Sequence, residues 1–242
     1  MNVAEDHLFA ALDATWPAAR TFKIGPWTIR EGAGGGQRVS AATLDGDARD
    51  KDVTEAEQAM RGVKQCPLFM IRSKDTKLDG WLMARDYDVV DPVVIYAGKA
   101  SALARPMGPA KIFPAWPPLA IQTEIWAGGG VHQPRLDVMT RASGEKIALL
   151  GRLGDRAVAT TFVACAGDIA MLHALEVMPD ARRQGVGATM MAAAANWALL
   201  QGATTLALMV TRDNAPANAL YLSLGMDEVG QYHYRRTSTV GS

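Results

Sequence analysis

Residues 179–187, Pro-Asp-Ala-Arg-Arg-Gln-Gly-Val-Gly, set two arginines and two closely spaced glycines between an apolar, strand-like run and a long apolar stretch of helical character. The chemistry open to such a segment is anion binding. The first turn of a helix has backbone N–H groups without intrahelical partners and carries the positive end of the helix dipole, so a phosphate is stabilised there. Gly185 and Gly187 would let the backbone come close to that ligand, and Arg182 and Arg183 would add charge-assisted hydrogen bonds. Solvated arginines beside a glycine-shaped turn fit the same residues equally well. The segment is not a nucleotide P-loop, since G-x-x-x-x-G-K-[ST] is absent. Nor is it a dinucleotide fingerprint, since 185–190 reads Gly-Val-Gly-Ala-Thr-Met.

To act on a ligand, the loop must be held between a strand and a helix. Apolar patterning predicts three strands in close succession at 146–153, 156–164 and 168–177, with Arg-Leu-Gly-Asp and Cys-Ala-Gly-Asp as the turns of an antiparallel meander. A helix over 185–201 then stops at Gly202, and a strand follows at 204–211. Next comes a short helix with Asp213 or Asn214 as its N-cap and Gly225 as its stop, then a closing strand at 228–235. Before the meander we expect a strand at 120–127, a triple glycine at 128–130 and a helix at 134–142.

The N-terminal part predicts a helix over 3–14 ended by Pro17, and two strands about a glycine-rich turn within 27–43. A helix at 50–63, a strand at 68–71, a helix at 77–84 and a buried strand at 93–97 complete an α/β unit. Between Ser101 and Leu119 the prolines 106, 109, 114, 117 and 118 argue against a continuous helix or a central strand. The expected domains are therefore 1–105 and 120–242, with 106–119 as a proline-rich linker. The Ala-Gly-Gly-Gly segments at 33–36 and 127–130 hint at an internal duplication.

Composition narrows the partners. The chain has 242 residues, 49% hydrophobic and 21% charged, the profile of a soluble globular protein with a buried core. Its 25 basic and 25 acidic side chains leave no net field to attract nucleic acid or an anionic membrane, so any anion recognition is local. Cys66 and Cys165 are far apart and form no metal spacing, so neither a disulfide framework nor a metal site is expected, and a reducing, cytoplasmic setting fits. The N-terminus lacks the basic and apolar regions of a signal peptide, and no apolar run reaches the ~18 residues of a membrane span.

In context the loop is part of a longer pattern. LHALEVMPDARRQGVGATMM, 172–191, resembles the acetyl-CoA-binding motif of the GCN5-related N-acetyltransferases: an apolar strand, V-x-P, R-x-x-G-x-G and a helix. VTRDNAPANALYLSLGM, 210–226, resembles the next motif of that superfamily, and the two lie in the family's order. The detailed resemblance covers about 120–236. The N-terminal half is similar to those of bacterial two-part acetyltransferases and reads as a degenerate copy. The implied fold class is α/β, a mixed, mostly antiparallel central sheet flanked by helices (the acyl-CoA N-acyltransferase fold), in two tandem units with the first degenerate.

The resemblance also implies roles. Leu175 and Val177 would offer backbone groups to the pantetheine arm of acetyl-CoA, and Arg182, Arg183, Gln184, Gly185, Val186 and Gly187 would hold its pyrophosphate. Asn214 matches the motif asparagine near the lower pantetheine, and Tyr221 the tyrosine that protonates the departing thiolate. MLHALEV resembles the HLHALAV strand of arylalkylamine N-acetyltransferases, whose histidines relay the amine proton. His173 matches the second histidine, whereas Met171 stands in place of the first. An imidazole with an ordinary pKa near ~6.5 suits a base at neutral pH. Glu176 is the alternative base, but it points to the other strand face unless a bulge intervenes.

Glu124, Trp126 and His132 flank the second triple glycine, in the region that shapes the acceptor pocket of the family. Cys165 reads as an inert buried thiol, and Met190 and Met191 as core. The expected activity is acetyl transfer from acetyl-CoA to a primary amine by direct attack in a ternary complex. A small-molecule or peptide amine is the expected partner, with a homodimer as the expected assembly if there is one. The competing expectations are a non-catalytic acyl-CoA-binding regulatory module and transfer of a longer acyl group.

Overall fold

The computed structural model describes residues 3–106 and 108–237. Contacts divide the chain into two compact units. One comprises Met1–Pro17, Ile95–Val210 and Asn214–Val229, the other Ala18–Val94, Thr211–Asp213 and Gly230–Ser242. The proline-rich stretch 106–119 falls inside the first unit, and so does the first helix, α1 (Glu5–Thr15). Leu8, Ala11, Leu12 and Thr15 recur along one face of α1 at helical spacing and are buried.

The other unit opens with the hairpin β1 (Arg20–Ile24) and β2 (Trp27–Glu31), which turns at Gly25, φ +51°, and Pro26. β2 also pairs with the two-residue β3 (Thr43–Leu44). The expected pair of strands about the glycine-rich segment is present as β2 and β3, with β3 only two residues long, and what the reading lacked is β1. The main partner of β2 precedes it, and because the side chains of β1 are largely exposed, no apolar alternation announces that strand. The glycine turn leads instead into a 3-10 turn at Gln37–Val39. Its local structure thus differs from that of the second triple glycine, which ends a helix.

The same unit continues with α2 (Val53–Gly62), β4 (Leu68–Arg72), α3 (Thr76–Met83) and β5 (Tyr87–Lys99), which crosses into the first unit at Ile95. Trp27, Ile29, Val53, Met60, Phe69 and Leu78 are fully buried in its core, with Trp27 and Tyr87 set edge-on to Phe69 at 5.6 and 5.7 Å. Its arginines bond internally: Arg30 Nη1 donates to the carbonyl of Ala41 and Thr43 Oγ1, and Arg38 Nε donates to the Tyr232 phenol.

The remaining elements are α4 (Ala100–Leu103), β6 (Lys111–Ala115), α5 (Ala120–Gly128), α6 (Gln133–Arg141), β7 (Lys146–Leu153), β8 (Arg156–Ala166), β9 (Ile169–Val177), α7 (Val186–Leu200), β10 (Thr205–Thr211), α8 (Ala215–Ser223) and β11 (Asp227–Thr237). In the first unit the strand order is β5–β10–β9–β8–β7–β6, antiparallel from β6 through β9 and parallel between β9 and β10. β6 carries Pro114 and stands at the end of that order, where a residue without an N–H is tolerated.

Alternation along β8 assigns the faces. Thr160 meets Gln122 of α5 and Phe162 meets Trp16 after α1, while Ala159, pointing the other way, lies on the α7 face. There a side chain at Gly151 would come within 2.8 Å of Met190 Sδ, so this glycine admits the α7 methionine. α7 is apolar nearly all round because it is buried on several sides, with Val186, Met190, Met191 and Ala194 inaccessible.

One expected element has the wrong type. The strand anticipated at 120–127 is the helix α5. Gln122 Oε1 accepts the N–H of Leu119 at 2.9 Å, closing the helix start, and Ile125 and Trp126 turn inward together. So short an apolar run fits both periods, and tertiary packing decides between them.

Candidate active site

β9 is the spine of the site. Its parallel ladder with β10 runs only from Ile169 to Leu172, opposite Thr205 to Leu208, although both strands continue. On its other edge the antiparallel register with β8 passes from Phe162↔His173 to Thr160↔Glu176, so two residues, Ala174 and Leu175, stand opposite Thr161. This is a β-bulge, and Ala174 sits at φ +50° within it. Trp126 Nε1 donates to the Ala174 carbonyl at 2.8 Å and pins it. Because Phe162 and Thr160 share a face, His173 and Glu176 share one too, the arrangement that a regular strand would have forbidden.

Past β9 the loop turns through a 3-10 turn, Pro179–Ala181, then through Arg183 at φ +61° and Gly185 at φ +78°, and α7 begins at Val186. Two left-handed residues with a single residue between them turn the chain sharply just before the first helical N–H groups. No side chain caps α7, and its first turn holds no acidic residue. The first-turn N–H groups and the helix dipole therefore face whatever occupies the loop.

The side chains of this loop divide their work. Arg182 Nε donates to the Val177 carbonyl at 3.0 Å and its Nη2 to Glu176 Oε1 at 3.2 Å, so it braces the strand end. Gln184 Nε2 donates to the Asp180 carbonyl at 2.9 Å. Val186 is buried, and a side chain at Gly187 would meet Leu220 Cδ2 at 3.0 Å, so the smallness of that glycine serves the packing of α7 on α8. Arg183 is exposed and, among the described residues, makes no hydrogen bond or ion pair. It is the cation left for a ligand.

Asn214 proves to be the N-cap of α8, its Oδ1 accepting the N–H of Ala217 at 3.2 Å. That bond uses one lone pair of the side-chain oxygen and fixes the orientation of the amide. Tyr221, two turns along α8, is 5% exposed, and burial pushes its phenol well above the ordinary tyrosine pKa. Its ring lies 5.6 Å from that of Tyr96 on β5, whose hydroxyl donates to Asn218 Oδ1 at 3.1 Å, while Asn218 Nδ2 donates to the Asn214 carbonyl at 2.8 Å. Sequence reasoning missed Tyr96, and the signal was present: a polar-tipped aromatic inside the otherwise apolar Val-Val-Ile-Tyr-Ala run.

His173 does not have the surroundings of an exposed base. It is 4% exposed, stacked on Trp16 at 4.8 Å with Phe162 beyond at 6.1 Å. The Thr15 hydroxyl gives its one proton to the Ala11 carbonyl at 2.7 Å, so its contact with His173 Nε2 at 3.0 Å has the imidazole donating. Met171, where the resemblance has a histidine, is wholly buried. Glu176 is more open, with 22% of its side chain exposed, and it holds the Arg182 pair.

The acceptor-side candidates separate as well. Trp126 is fully buried as the strut of the bulge, whereas Glu124 and His132 are exposed. Burial, with the charge of Glu145 nearby, pushes the Cys165 thiol up to about 11, so at pH 8 roughly one molecule in a thousand carries the thiolate there. Cys66 is exposed. Iodoacetamide at pH 8 is therefore expected to add a single group to the folded chain, at Cys66, by mass spectrometry; a second adduct on the half-buried Cys165 would contradict the raised pKa of its thiol. Among the described residues no group of three or more His, Cys, Asp and Glu is arranged to hold a metal, and no helix is long and apolar enough to cross a membrane.

Comparison with known proteins joins these features. Residues 122–226 match the model of the acetyltransferase (GNAT) family. Over 126 residues the chain is 28% identical to the aminoglycoside N(6')-acetyltransferase type 1 of Klebsiella aerogenes, spanning 47% of this chain and 83% of that one. In structure it is similar to a GCN5-related N-acetyltransferase from Kribbella flavida, with a TM-score of 0.74 at 20% identity over 98% of this chain and 95% of the other. A tandem GNAT protein from the clavulanic acid biosynthesis pathway gives 0.64 at 10% identity over 89% and 78%. At such identities the solved structures establish the fold: a mostly antiparallel sheet flanked by helices, found over nearly the whole chain.

Proposed function

We propose, on the premise of the match of residues 122–226 to the acetyltransferase (GNAT) family, that the protein transfers an acetyl group from acetyl-CoA to a primary amine by direct attack in a ternary complex. The observation that carries this reading is the uncapped start of α7, entered through left-handed Gly185, beside Arg183 and at the end of a strand that leaves its neighbour after Leu172. A diphosphate fits that start, with the N–H groups of the first turn and Arg183 as donors. An extended, amide-bearing arm fits the edge of β9 at Leu175 and Val177, where strand pairing to β10 has ceased. Bound acetyl-CoA supplies the activated acyl group and a thiolate leaving group.

The remaining steps belong to the side chains. The attacking amine must be neutral, so its proton has to leave. Glu176 is the base we favour, since it lies on the same face as His173 but closer to solvent. His173, under Trp16, would act by fixing the strand rather than by taking the amine proton itself. Tyr221 would donate its hydroxyl hydrogen to the departing sulfur. Among small-molecule amines, an aminoglycoside is the acceptor that the Klebsiella relative brings to the panel.

The test is thiol release from acetyl-CoA in the presence of a panel of primary amines, an aminoglycoside among them, alongside calorimetric titration of coenzyme A. Saturable, amine-dependent release is expected. Coenzyme A binding with no turnover of any amine would favour the non-catalytic module instead.

A further inference from the structure

The second triple glycine, 128–130, is not accounted for by the proposed chemistry. Gly129 is the C-cap of α5 at φ −94° and ψ 9°, a conformation open to any L residue, so the backbone does not demand glycine there. Space does. A Cβ on Gly129 would lie 2.3 Å from Glu176 Oε2, 2.6 Å from its Cδ and 3.0 Å from its Cγ. The neighbouring Gly128 has nothing within 4 Å of the same position.

The two backbones cannot simply step aside, so the side chain of Glu176 has to give. Glu176 is tied through Oε1 to Arg182, which is itself bonded to the Val177 carbonyl. α5 is tied to the bulge of the same strand by Trp126 Nε1 and the Ala174 carbonyl. A methyl at 129 would push between a helix end and a strand already fastened together three residues away, and the carboxylate is the part with room to turn. We infer that Gly129 is a positioning residue for the proposed base: its missing side chain is the space in which the Glu176 carboxylate is held toward the amine. This rests on the acetyltransferase reading, with Glu176 as the base.

The experiment compares Gly129→Ala, Gly128→Ala, Glu176→Gln and the double variant Gly129→Ala/Glu176→Gln, measuring kcat, KM and the pH–rate profile with an amine the wild type acetylates, and coenzyme A affinity by calorimetry. Gly129→Ala is expected to lower kcat about tenfold or more and to shift the acidic limb of the profile, with coenzyme A affinity within about twofold of wild type. Gly128→Ala should match wild type, and Gly129→Ala should cost nothing further once Glu176 is glutamine. A readout independent of activity is thermal melting: any loss of Tm in Gly129→Ala should vanish when Glu176 is shortened to alanine.

Equal kinetics for Gly129→Ala and Gly128→Ala, or a Gly129→Ala loss that persists in the Glu176→Gln background, would overturn the positioning role and leave acetyl transfer standing. Full activity in Glu176→Gln would also overturn it, by removing the base. Absence of turnover in the wild type would instead defeat the acetyltransferase reading, and the positioning role with it.

Discussion

Tyr221→Phe is expected to lower kcat by about two orders of magnitude or more while coenzyme A affinity stays within about twofold. The substitution removes one oxygen and keeps the ring that packs 5.6 Å from Tyr96, so folding has little to lose. What disappears is the O–H at a buried position where burial raises the phenol's pKa. The sign of that shift sets the pH dependence: a raised pKa keeps the donor form populated as pH climbs, so Tyr221 should contribute no alkaline limb up to the ordinary tyrosine value of about 10. A kcat within threefold of wild type would remove Tyr221 from the chemistry, and an alkaline limb near pH 8 that vanishes in the phenylalanine variant would show that its phenol is not shielded.

The second large effect is on binding. Gly185→Val places a β-branched residue at φ +78°, where L side chains cost roughly 1–2 kcal/mol. Packing is not the obstacle, because the nearest atoms to an added Cβ, those of Pro109, stand at an ordinary 3.6 Å. Strain alone would lower stability; a cradle would lose its aim besides. Coenzyme A affinity is expected to fall at least about tenfold, some 1.4 kcal/mol. Gly154→Val separates the two causes, since Gly154 also has positive φ, +56°, and open space around it, but lies in the turn between β7 and β8. It should lose comparable stability and keep its coenzyme A affinity by calorimetry. Equal weakening in both variants would mean that the loop at 185 is not a cradle.

Patterned segments were legible from the residues alone. β7, β8 and β9 follow their alternation and turns almost to the residue, and α7 and α8 begin and end where glycines and the Asn214 cap place them. Where local signals are weak or double, the reading fails. β1 is a hairpin arm of exposed side chains, and α5 has an apolar run too short to fix its period. The site is legible as a set of motifs but not as a network. Arg182 and Arg183 are adjacent and identical, yet one braces Glu176 and the other stays open, because the left-handed turn at Arg183 sends them apart. The bulge that brings Glu176 to the face of His173 is held by Trp126, 48 positions away, a partner that no local pattern reveals.

The contact between Thr15 and His173 spans 158 positions. On a ribosome adding about 5–20 residues per second, α1 is complete roughly 8–30 s before the strand it covers has been made. Throughout that interval Leu8, Phe9, Leu12 and Trp16, all buried in the finished fold, have no β9 to rest on. Until β9 emerges the nascent chain therefore carries a sticky amphipathic segment without its cover, and the yield of folded protein should depend on what shelters that segment, such as a holding chaperone, more than on the stability of the finished sheet.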